Sequence, residues 1–384
     1  MASPLELYIG IMSGTSLDGI DAVLMATNGQ QAQLTASITR PFATALRQRL
    51  LDVANGTPVS AQHWGELDAQ LGQAYADIVL QLLQESGTPA NQVRAIGCHG
   101  QTVWHQPSGD LPFSLQLGDG NRVAALTGII AINDFRRKDM ALGGQGAPLV
   151  PAFHQQVLAD AKQLRIVVNI GGIANITVLD PQHPVLGFDV GPGNMLLDAW
   201  CQQQWGQPFD KDAAFGLQGQ VNTDLLARLL DEPWLALPAP KSTGRELFSP
   251  HWLAAHLQEH QAQFGVINAL DVQATLTEFS ARAIVDQVTG YATKPTAATQ
   301  AMPTGQLLVC GGGGHNPLLM QRLSALLPNW QVTTTNSAGV DMDAMEAMAF
   351  AWLAHQTLNG LPGNLPAVTG ASQAAILGAI HLPG

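Results

Sequence analysis

The fold class is decided by residues 10–21, which read Gly10-Ile11-Met12-Ser13-Gly14-Thr15-Ser16-Leu17-Asp18-Gly19-Ile20-Asp21. The segments around this turn, Leu5–Met12 and Ile20–Ala26, have the β-branched and aromatic composition of short strands. The turn itself is long, polar and rich in glycine, so its backbone N–H groups and hydroxyls could bind an anion. An ordinary hairpin turn is the alternative. We favour a hairpin whose tip binds phosphate.

Two carboxylates of this turn, Asp18 and Asp21, would repel phosphate but suit a cation. Mg²⁺ prefers oxygen ligands and keeps several of its waters. We therefore expect Asp18 and Asp21 to bind Mg²⁺, mostly through water.

A second hairpin with glycines at its turn is predicted in the middle of the chain, with strands at 165–169 and 176–179. Helical periods occur at 60–86, 251–264, 271–289 and 341–358, and a last helix is expected at 371–380. Because strands alternate with helices, the class is α/β. The two hairpins suggest two related halves. Residues 205–250 read as loop-rich, and 290–305 as an exposed loop.

Length and composition limit the function classes. At about 150 residues per domain, 384 residues suggest two or three domains. The formal net charge is -12, so no basic footprint for nucleic acid is present. No run of eighteen apolar residues occurs, which predicts no membrane span. Three distant cysteines and an acidic N-terminus without a secretory pattern indicate the reducing cytoplasm.

Glycines recur at 311–314, between a predicted strand and a predicted helix. Such a turn could hold phosphate or let a flat nucleoside approach the backbone, although a purely structural turn is equally compatible. The spacing matches neither a phosphate-binding P-loop nor a dinucleotide-binding fingerprint. The glycines alone therefore leave their role open.

Two acidic residues are candidates for chemistry. Asp189 is predicted at the carboxyl end of a strand, where an α/β sheet places functional groups, although a turn former or helix cap is the alternative. Glu346 shares a helix face with apolar residues, which costs energy unless the carboxylate binds something. The pattern His256-x-x-Glu259-His260 matches a zinc-protease motif. We interpret it as a helix surface, because zinc also needs a third protein ligand and so short a pattern can arise by chance.

Several short motifs together resemble the anhydro-N-acetylmuramic acid kinase family, and they occur in the same order from residue 8 to residue 380. Besides the first turn, they are His99–Thr102, Asp134–Arg137, Asn169–Asn175, Phe188–Asn194, Glu346-Ala347 and Val368–Ala371. The resemblance implies the fold of the actin, Hsp70 and sugar kinase superfamily, with two actin-like (ribonuclease H-like) α/β domains around a nucleotide cleft. We place these domains at 1–132 plus 365–384 and at 133–364.

The resemblance also implies an activity. Family members use ATP and water to convert 1,6-anhydro-N-acetylmuramic acid into N-acetylmuramic acid 6-phosphate and ADP, which serves peptidoglycan recycling. ATP and Mg²⁺ are the implied cofactors, an amino sugar is the implied substrate, and a homodimer is the implied assembly.

Site roles follow from the resemblance, residue by residue. Asp189 would be the catalytic base. The sugar pocket would contain Thr102, Phe135, Glu346 and either Arg136 or Arg137, one of which would bind the lactyl carboxylate. The nucleotide would contact three segments, comprising Gly14, Thr15, Ser16, Leu17, Asp18, Gly19, Ile20 and Asp21 in the first hairpin, Gly171, Gly172 and Asn175 in the second, and Gly311, Gly312, Gly313 and Asn316 against the adenosine.

Two other hypotheses remain open from the sequence. A kinase of another sugar or carboxylate would keep the fold but would not hydrolyse its substrate. An ATP-switched binding protein would lack a small-molecule acceptor and would need a separate peptide-binding domain, for which no residues are left over.

Overall fold

The computed structural model describes residues 4–14, 17–239, 241–244, 246–292 and 304–384. The strands are β1 (Glu6–Ser13), β2 (Gly19–Thr27), β3 (Ala32–Pro41), β4 (Val93–Gln106), β5 (Phe113–Leu117), β6 (Ala131–Asn133), β7 (Arg165–Ile170), β8 (Ile173–Leu179), β9 (Leu186–Pro192), β10 (Gly305–Cys310), β11 (Trp330–Thr334) and β12 (Ala379–His381). The helices are α1 (Thr44–Ala54), α2 (Ala61–Ser86), α3 (Gly120–Thr127), α4 (Arg137–Ala141), α5 (Val150–Leu158), α6 (Met195–Trp205), α7 (Thr223–Leu230), α8 (Pro250–Phe264), α9 (Ala269–Ala292), α10 (Pro317–Leu326), α11 (Met345–Leu358) and α12 (Pro366–Thr369).

The chain forms two compact units. The first comprises Met1–Val157 with Gly339–Gly384, and the second comprises Leu158–Ala338. These bounds differ from the predicted domains, because residues 133–157 and 339–364 belong to the first unit. The reason is that α11 packs on β1, β2 and β4 of that unit.

Each unit is built on one sheet, and the two sheets share the topology of a five-stranded core. The first runs β12-β6-β4-β1-β2-β3, with β5 paired to β4, and the second runs β11-β10-β7-β8-β9. In both, the first three strands form an antiparallel meander, and the next two core strands lie parallel to the first of them. This is the ribonuclease H-like arrangement of actin-like domains. The α/β class and the two related halves are therefore confirmed.

Helices cover both faces of the first sheet. On one face α2 begins at Ser60, whose side chain accepts a hydrogen bond from the His63 N–H, and ends at Gly87 in the left-handed conformation. Its buried residues Leu67, Leu71 and Tyr75 follow the predicted helical period and join the core. On the other face lies α11, which is buried along nearly its whole length.

Two strand glycines allow α11 to approach the sheet closely. A Cβ on Gly10 would overlap the Ala347 carbonyl oxygen, and a Cβ on Gly97 would overlap the Phe350 carbonyl oxygen. Only glycine leaves room for this contact of backbone with backbone. The close approach fixes the height of Glu346 above the ends of β1 and β4.

We expect Gly97→Ala to lower the free energy of unfolding by about 1–3 kcal/mol or more, because an added methyl group must push α11 from the sheet. Gly65→Ala is the matched control, since no atom lies within 4 Å of a Cβ built there in α2. That control should gain about 0.5–1 kcal/mol. Urea unfolding of both variants checks the pair, and equal stabilities would contradict the close-approach argument.

Several local predictions were wrong. Residues 371–380 are not helical, because the Asn364 side chain accepts a hydrogen bond from the Ala375 N–H and the Gly363 N–H binds the Ala375 carbonyl. The helix α7 lies within the segment read as loop-rich. Residues 293–303 of the predicted exposed loop lie outside the described residues. In the described part of the chain, no helix is long and apolar enough to cross a membrane.

Candidate active site

The turn between β1 and β2 is stabilised by hydrogen bonds within the turn and from side chains of its own unit. The Leu17 N–H donates to the Gly14 carbonyl at 3.1 Å, and the Leu17 carbonyl accepts from Arg47 Nε at 2.9 Å. Leu17 is buried at a positive φ of 57°. Gln101 Nε2 donates to the Gly14 carbonyl at 3.1 Å. Thr15 and Ser16 lie outside the described residues.

Two carboxylates, those of Asp18 and Asp21, lie where this turn joins β2. Thr39 Oγ1 donates to Asp21 Oδ1 at 2.6 Å, and Asp18 is exposed at the turn. Burial raises the pKa of Asp21, the Thr39 hydrogen bond lowers it, and the negative charges of Asp343 and Asp18 raise it further. Like charges that disfavour one another in this way are suited to a shared cation. The carboxylate oxygens of Asp18 and Asp21 are therefore chemically suitable ligands for a hydrated Mg²⁺.

A half-buried guanidinium lies in the first unit, where it is held by its own hydrogen bonds. Arg136 donates from Nη1 to the Gly146 carbonyl at 2.8 Å. It also donates from Nη2 and Nε to His99 Nε2, at 2.8 and 3.2 Å. Burial lowers the pKa of Arg136 to about 10, while the charges of Glu346 and Asp139 raise it. Arg136 stays protonated at neutral pH.

Glu346 faces this guanidinium from the first turn of α11. Burial raises the pKa of Glu346, the positive charge of Arg136 lowers it, and the negative charge of Asp21 raises it. The structure therefore brings Glu346, Arg136 and the carboxylate end of the first hairpin into one electrostatic group. The apolar-face argument had identified Glu346 as functional but had not identified these partners.

The two candidate arginines have different surroundings. The Arg137 side chain is 63% exposed and is paired with Asp134. Its Nε donates to both Asp134 carboxylate oxygens at 2.8 Å, which raises the pKa of Arg137. Arg136 is instead held inside the unit. Only Arg136 lies in the group that contains Glu346.

The two remaining predicted sugar residues, Phe135 and Thr102, differ in exposure. Phe135 is buried, with its ring centroid 5.6 Å from that of Phe350, so it offers little surface to a ligand. Thr102 is half-buried on β4, and its Oγ1 accepts a hydrogen bond from Gln116 Nε2 at 3.1 Å. Phe135 is therefore a packing residue inside the unit, while the Thr102 hydroxyl belongs to a half-buried side chain.

Asp139 organises the loop beneath Arg136, a role that the sequence did not indicate. Its Oδ1 accepts from Asn364 Nδ2 at 2.6 Å and from Thr369 Oγ1 at 2.7 Å, and its Oδ2 accepts from the Gly146 N–H at 2.8 Å. Gly146 in turn supplies the carbonyl that binds Arg136. This fully buried carboxylate thus connects the C-terminal segment to the loop whose Gly146 carbonyl binds Arg136.

In the second unit, the glycine turns at 171–172 and 311–313 lie together. The Asn194 N–H donates to the Gly171 carbonyl at 2.8 Å, and the Gly193 N–H donates to the Gly172 carbonyl at 2.9 Å. Gly311 has a φ of 79°, and a Cβ there would overlap Asn169 Oδ1. Glycine is needed at 311 for both reasons. Asn175 lies on β8, between its strand partners Asn169 of β7 and Asp189 of β9.

A cavity of about 420 Å³ opens beside these turns. Asn316 caps α10 by accepting from the Leu319 N–H at 3.0 Å. The cavity is lined by Asn194, Leu197, Asp198, Phe209, Asp210, Lys211, Asp212, Gly312, His315 and Asn316. Its mixture of apolar and polar groups is typical of a nucleoside site. Residues 209–212 gave no sequence signal, because they belong to an irregular turn in which Asp212 has a φ of 55°.

Asp189 lies within β9, not at its end as predicted. Its Oδ2 accepts hydrogen bonds from Ser242 Oγ at 2.9 Å and from the Thr243 N–H at 3.0 Å. Burial raises the pKa of Asp189, these two hydrogen bonds lower it, and the charge of Glu246 raises it. Within the described residues, no hydrogen bond reaches Oδ1. One carboxylate oxygen is thus held and the other is available to a ligand.

The zinc-protease pattern has a structural explanation. Glu259 pairs with Arg228, His260 is buried beside Phe264, and His256 packs on Trp252. Across the residues that the structure describes, no group of three or more His, Cys, Asp or Glu could hold a metal ion.

A family model described as anhydro-N-acetylmuramic acid kinase matches residues 6–383. The chain belongs to this family. A relative named anhydro-N-acetylmuramic acid kinase from Vibrio cholerae is 56% identical over 378 residues, which cover 98% of this chain and 99% of that protein. One with the same name from Pasteurella multocida is 54% identical over 374 residues, covering 97% and 96%. The predicted family is confirmed.

Solved structures resemble the chain more distantly. An activator of 2-hydroxyisocaproyl-CoA dehydratase from Clostridium difficile, with bound ADPNP, has a TM-score of 0.45 and 11% identity, and covers 92% of this chain and 96% of its own. A ROK family glucokinase from Streptomyces griseus has a TM-score of 0.38 and 13% identity, covering 91% and 99%. At this distance, the comparison adds nothing to the topology of the two sheets.

Proposed function

We propose that the chain is an ATP-dependent kinase that uses water to open the 1,6-anhydro ring of 1,6-anhydro-N-acetylmuramic acid and phosphorylates O6. The products are N-acetylmuramic acid 6-phosphate and ADP, which assigns the chain to peptidoglycan recycling. Membership of the kinase family along residues 6–383 carries this proposal. The site chemistry of both units supports it.

The reaction needs one base and no separate acid. Water attacks C1, the C1–O6 bond breaks, and O6 takes the γ-phosphoryl group instead of a proton. A glycosidase would need a second carboxyl group to protonate that leaving oxygen. Asp189 is our choice of base, because Ser242 and Thr243 fix one oxygen while the other can accept the proton of water. Its raised pKa makes it a stronger base.

Arg136 is our choice for the lactyl carboxylate. A guanidinium has five N–H groups, and three of those on Arg136 are used by His99 and Gly146. One N–H on each terminal nitrogen is left for a ligand, which suits a bidentate carboxylate. Arg137 is already neutralised by Asp134. Glu346 and Thr102 would accept hydrogen bonds from polar groups of the sugar.

ATP would bind with its adenosine in the cavity beside Gly312 and Asn316. Mg²⁺, held by Asp18 and Asp21 through water, would neutralise charge on the transferred phosphoryl group. The cytoplasmic location and the homodimer belong to the same proposal. The need for ATP supports the cytoplasmic location. Light scattering of the purified protein tests the homodimer.

The proposed base predicts the pH dependence of kcat/KM. Asp189 must be ionised to act, so activity should fall as the pH drops through its pKa. Because burial raises that pKa, the acid limb should lie above the ordinary aspartate value of about 4. Glu346 also has a raised pKa, so Glu346→Gln should be titrated alongside. A limb at or below about pH 4 in both proteins would contradict the assignment.

The function itself is tested by ADP release from ATP and Mg²⁺, with and without 1,6-anhydro-N-acetylmuramic acid. We expect ADP release that depends on the anhydro sugar, with a ring-opened 6-phosphate as product. Turnover with other sugars alone would keep the kinase and reject the substrate. Turnover without any sugar would instead favour an ATP-switched protein.

A further inference from the structure

We propose that His99 is a positioning residue that orients the Arg136 guanidinium toward the carboxylate of the sugar, an inference that rests on the function proposed above. His99 follows Gly97 by two residues on β4 and is 4% exposed. Its proposed role is not that of an acid or base, because its Nε2 is engaged by Arg136. Its contribution is the hydrogen-bond acceptor that it presents to Arg136.

The hydrogen bonds determine the protonation state of His99. Arginine has only donors, so the N–H groups on Nη2 and Nε of Arg136 both point at a lone pair on His99 Nε2. His99 is therefore the neutral tautomer with its hydrogen on Nδ1. Burial and the charge of Arg136 hold the pKa of His99 well below its ordinary value, which agrees with this geometry.

His99 occupies one particular edge of the guanidinium. The Nε and Nη2 hydrogens on that edge form one of the two pairs of donors with which arginine binds a carboxylate in bidentate fashion. With this edge engaged and Gly146 bound to Nη1, the N–H groups left for a carboxylate are one on each terminal nitrogen. His99 thus selects which edge of Arg136 faces the sugar.

The imidazole is itself fixed by packing. Its ring centroid lies 4.7 Å from that of Phe350, on the helix that also carries Glu346. A Cβ on Gly97 would meet the backbone of the same Phe350. The close contact between β4 and α11 therefore sets the distance between the His99–Arg136 pair and Glu346.

Three substitutions of His99, by Gln, Asn and Leu, distinguish its role as a hydrogen-bond acceptor from its role in packing. Gln places its Oε1 near the position of His Nε2 and keeps an acceptor there, Asn is too short to do so, and Leu fills space without any acceptor. We would measure KM and kcat for 1,6-anhydro-N-acetylmuramic acid, KM for ATP, and the melting temperature of each protein. Calorimetric Kd values for that sugar and for 1,6-anhydro-N-acetylglucosamine, which lacks the lactyl carboxylate, complete the set.

We expect His99→Leu and His99→Asn to raise KM and Kd for the lactyl sugar about 10- to 100-fold, the range for losing one well-placed charged hydrogen bond. KM for ATP and the Kd of the sugar without the carboxylate should change less than about threefold, and His99→Gln should restore lactyl-sugar binding. Equal weakening of both sugars, or no rescue by Gln in a variant that melts like wild type, would overturn the proposal. Wild-type protein that neither binds nor phosphorylates the lactyl sugar would reject the function itself, before any variant is compared.

Discussion

Asp189→Asn is expected to lower kcat by about two to four orders of magnitude while leaving the Kd for ATP within about threefold of wild type. The amide cannot take a proton from water, but it has nearly the same shape as the carboxylate. Its oxygen can still accept from Ser242 Oγ and the Thr243 N–H, so the loop at 242–243 should stay in place. Single-turnover kinetics with the anhydro sugar, together with calorimetric titration of ATP, provide the measurement.

The melting temperature of Asp189→Asn shows whether a loss of activity comes from the missing base or from a destabilised fold. Because the folded-state pKa of Asp189 is raised, its contribution to stability is present at low pH and is lost as pH rises through that pKa. At pH 8 the uncharged Asn variant should therefore melt at or above the wild-type temperature. Asp286→Asn is the control, since partial desolvation also raises the pKa of the more exposed Asp286 and the mechanism does not use it. A fully active Asp189→Asn protein would assign the base elsewhere.

Arg136→Ala is expected to raise KM for 1,6-anhydro-N-acetylmuramic acid by about 100-fold or more, since a buried charged bidentate contact is lost. Arg136→Lys should recover little, because an ammonium cannot reproduce the planar fork. The loss should be much smaller for 1,6-anhydro-N-acetylglucosamine, which has no carboxylate to bind. Steady-state kinetics with both sugars measure the difference.

Arg137→Ala is the matched control for this prediction. Its side chain is 63% exposed and its partner Asp134 lies three residues away, so the pair contributes little to stability. We expect KM for both sugars to stay within about threefold of wild type. If Arg137→Ala lost the lactyl sugar while Arg136→Ala kept it, the assignment of the two arginines would be reversed.

The sequence was informative where local pattern carries the signal. The two glycine-tipped hairpins, their related halves and the helical period of α2 follow from spacing and composition. Glu346 stood out because a carboxylate on an apolar helix face is costly. Asp189 stood out because the sequence pattern predicted it at the end of a strand, although it lies in the middle of β9. These features depend on neighbouring residues, so they can be recognised without knowing the fold.

The partners of those residues could not be found in this way. The bonds of Arg136 to His99, of Asp189 to Ser242 and of Asp139 to Thr369 join residues 37, 53 and 230 positions apart. The same reason explains the wrong helix at 371–380, where side-chain contacts with Asn364 override a helical period. Long-range hydrogen bonds of this kind become visible only once the sheets have brought their strands together.

The central claim is that water opens the anhydro ring while the freed O6 receives the phosphoryl group, and isotopic labelling tests it most directly. The reaction would be run in H₂¹⁸O with ATP, Mg²⁺ and 1,6-anhydro-N-acetylmuramic acid, and the products analysed by mass spectrometry. Unlabelled product kept in H₂¹⁸O corrects for exchange at C1. We predict one ¹⁸O at C1 of the sugar phosphate and none in its phosphoryl group. Phosphorylated sugar without ¹⁸O at C1, or label appearing in inorganic phosphate instead, would contradict the account.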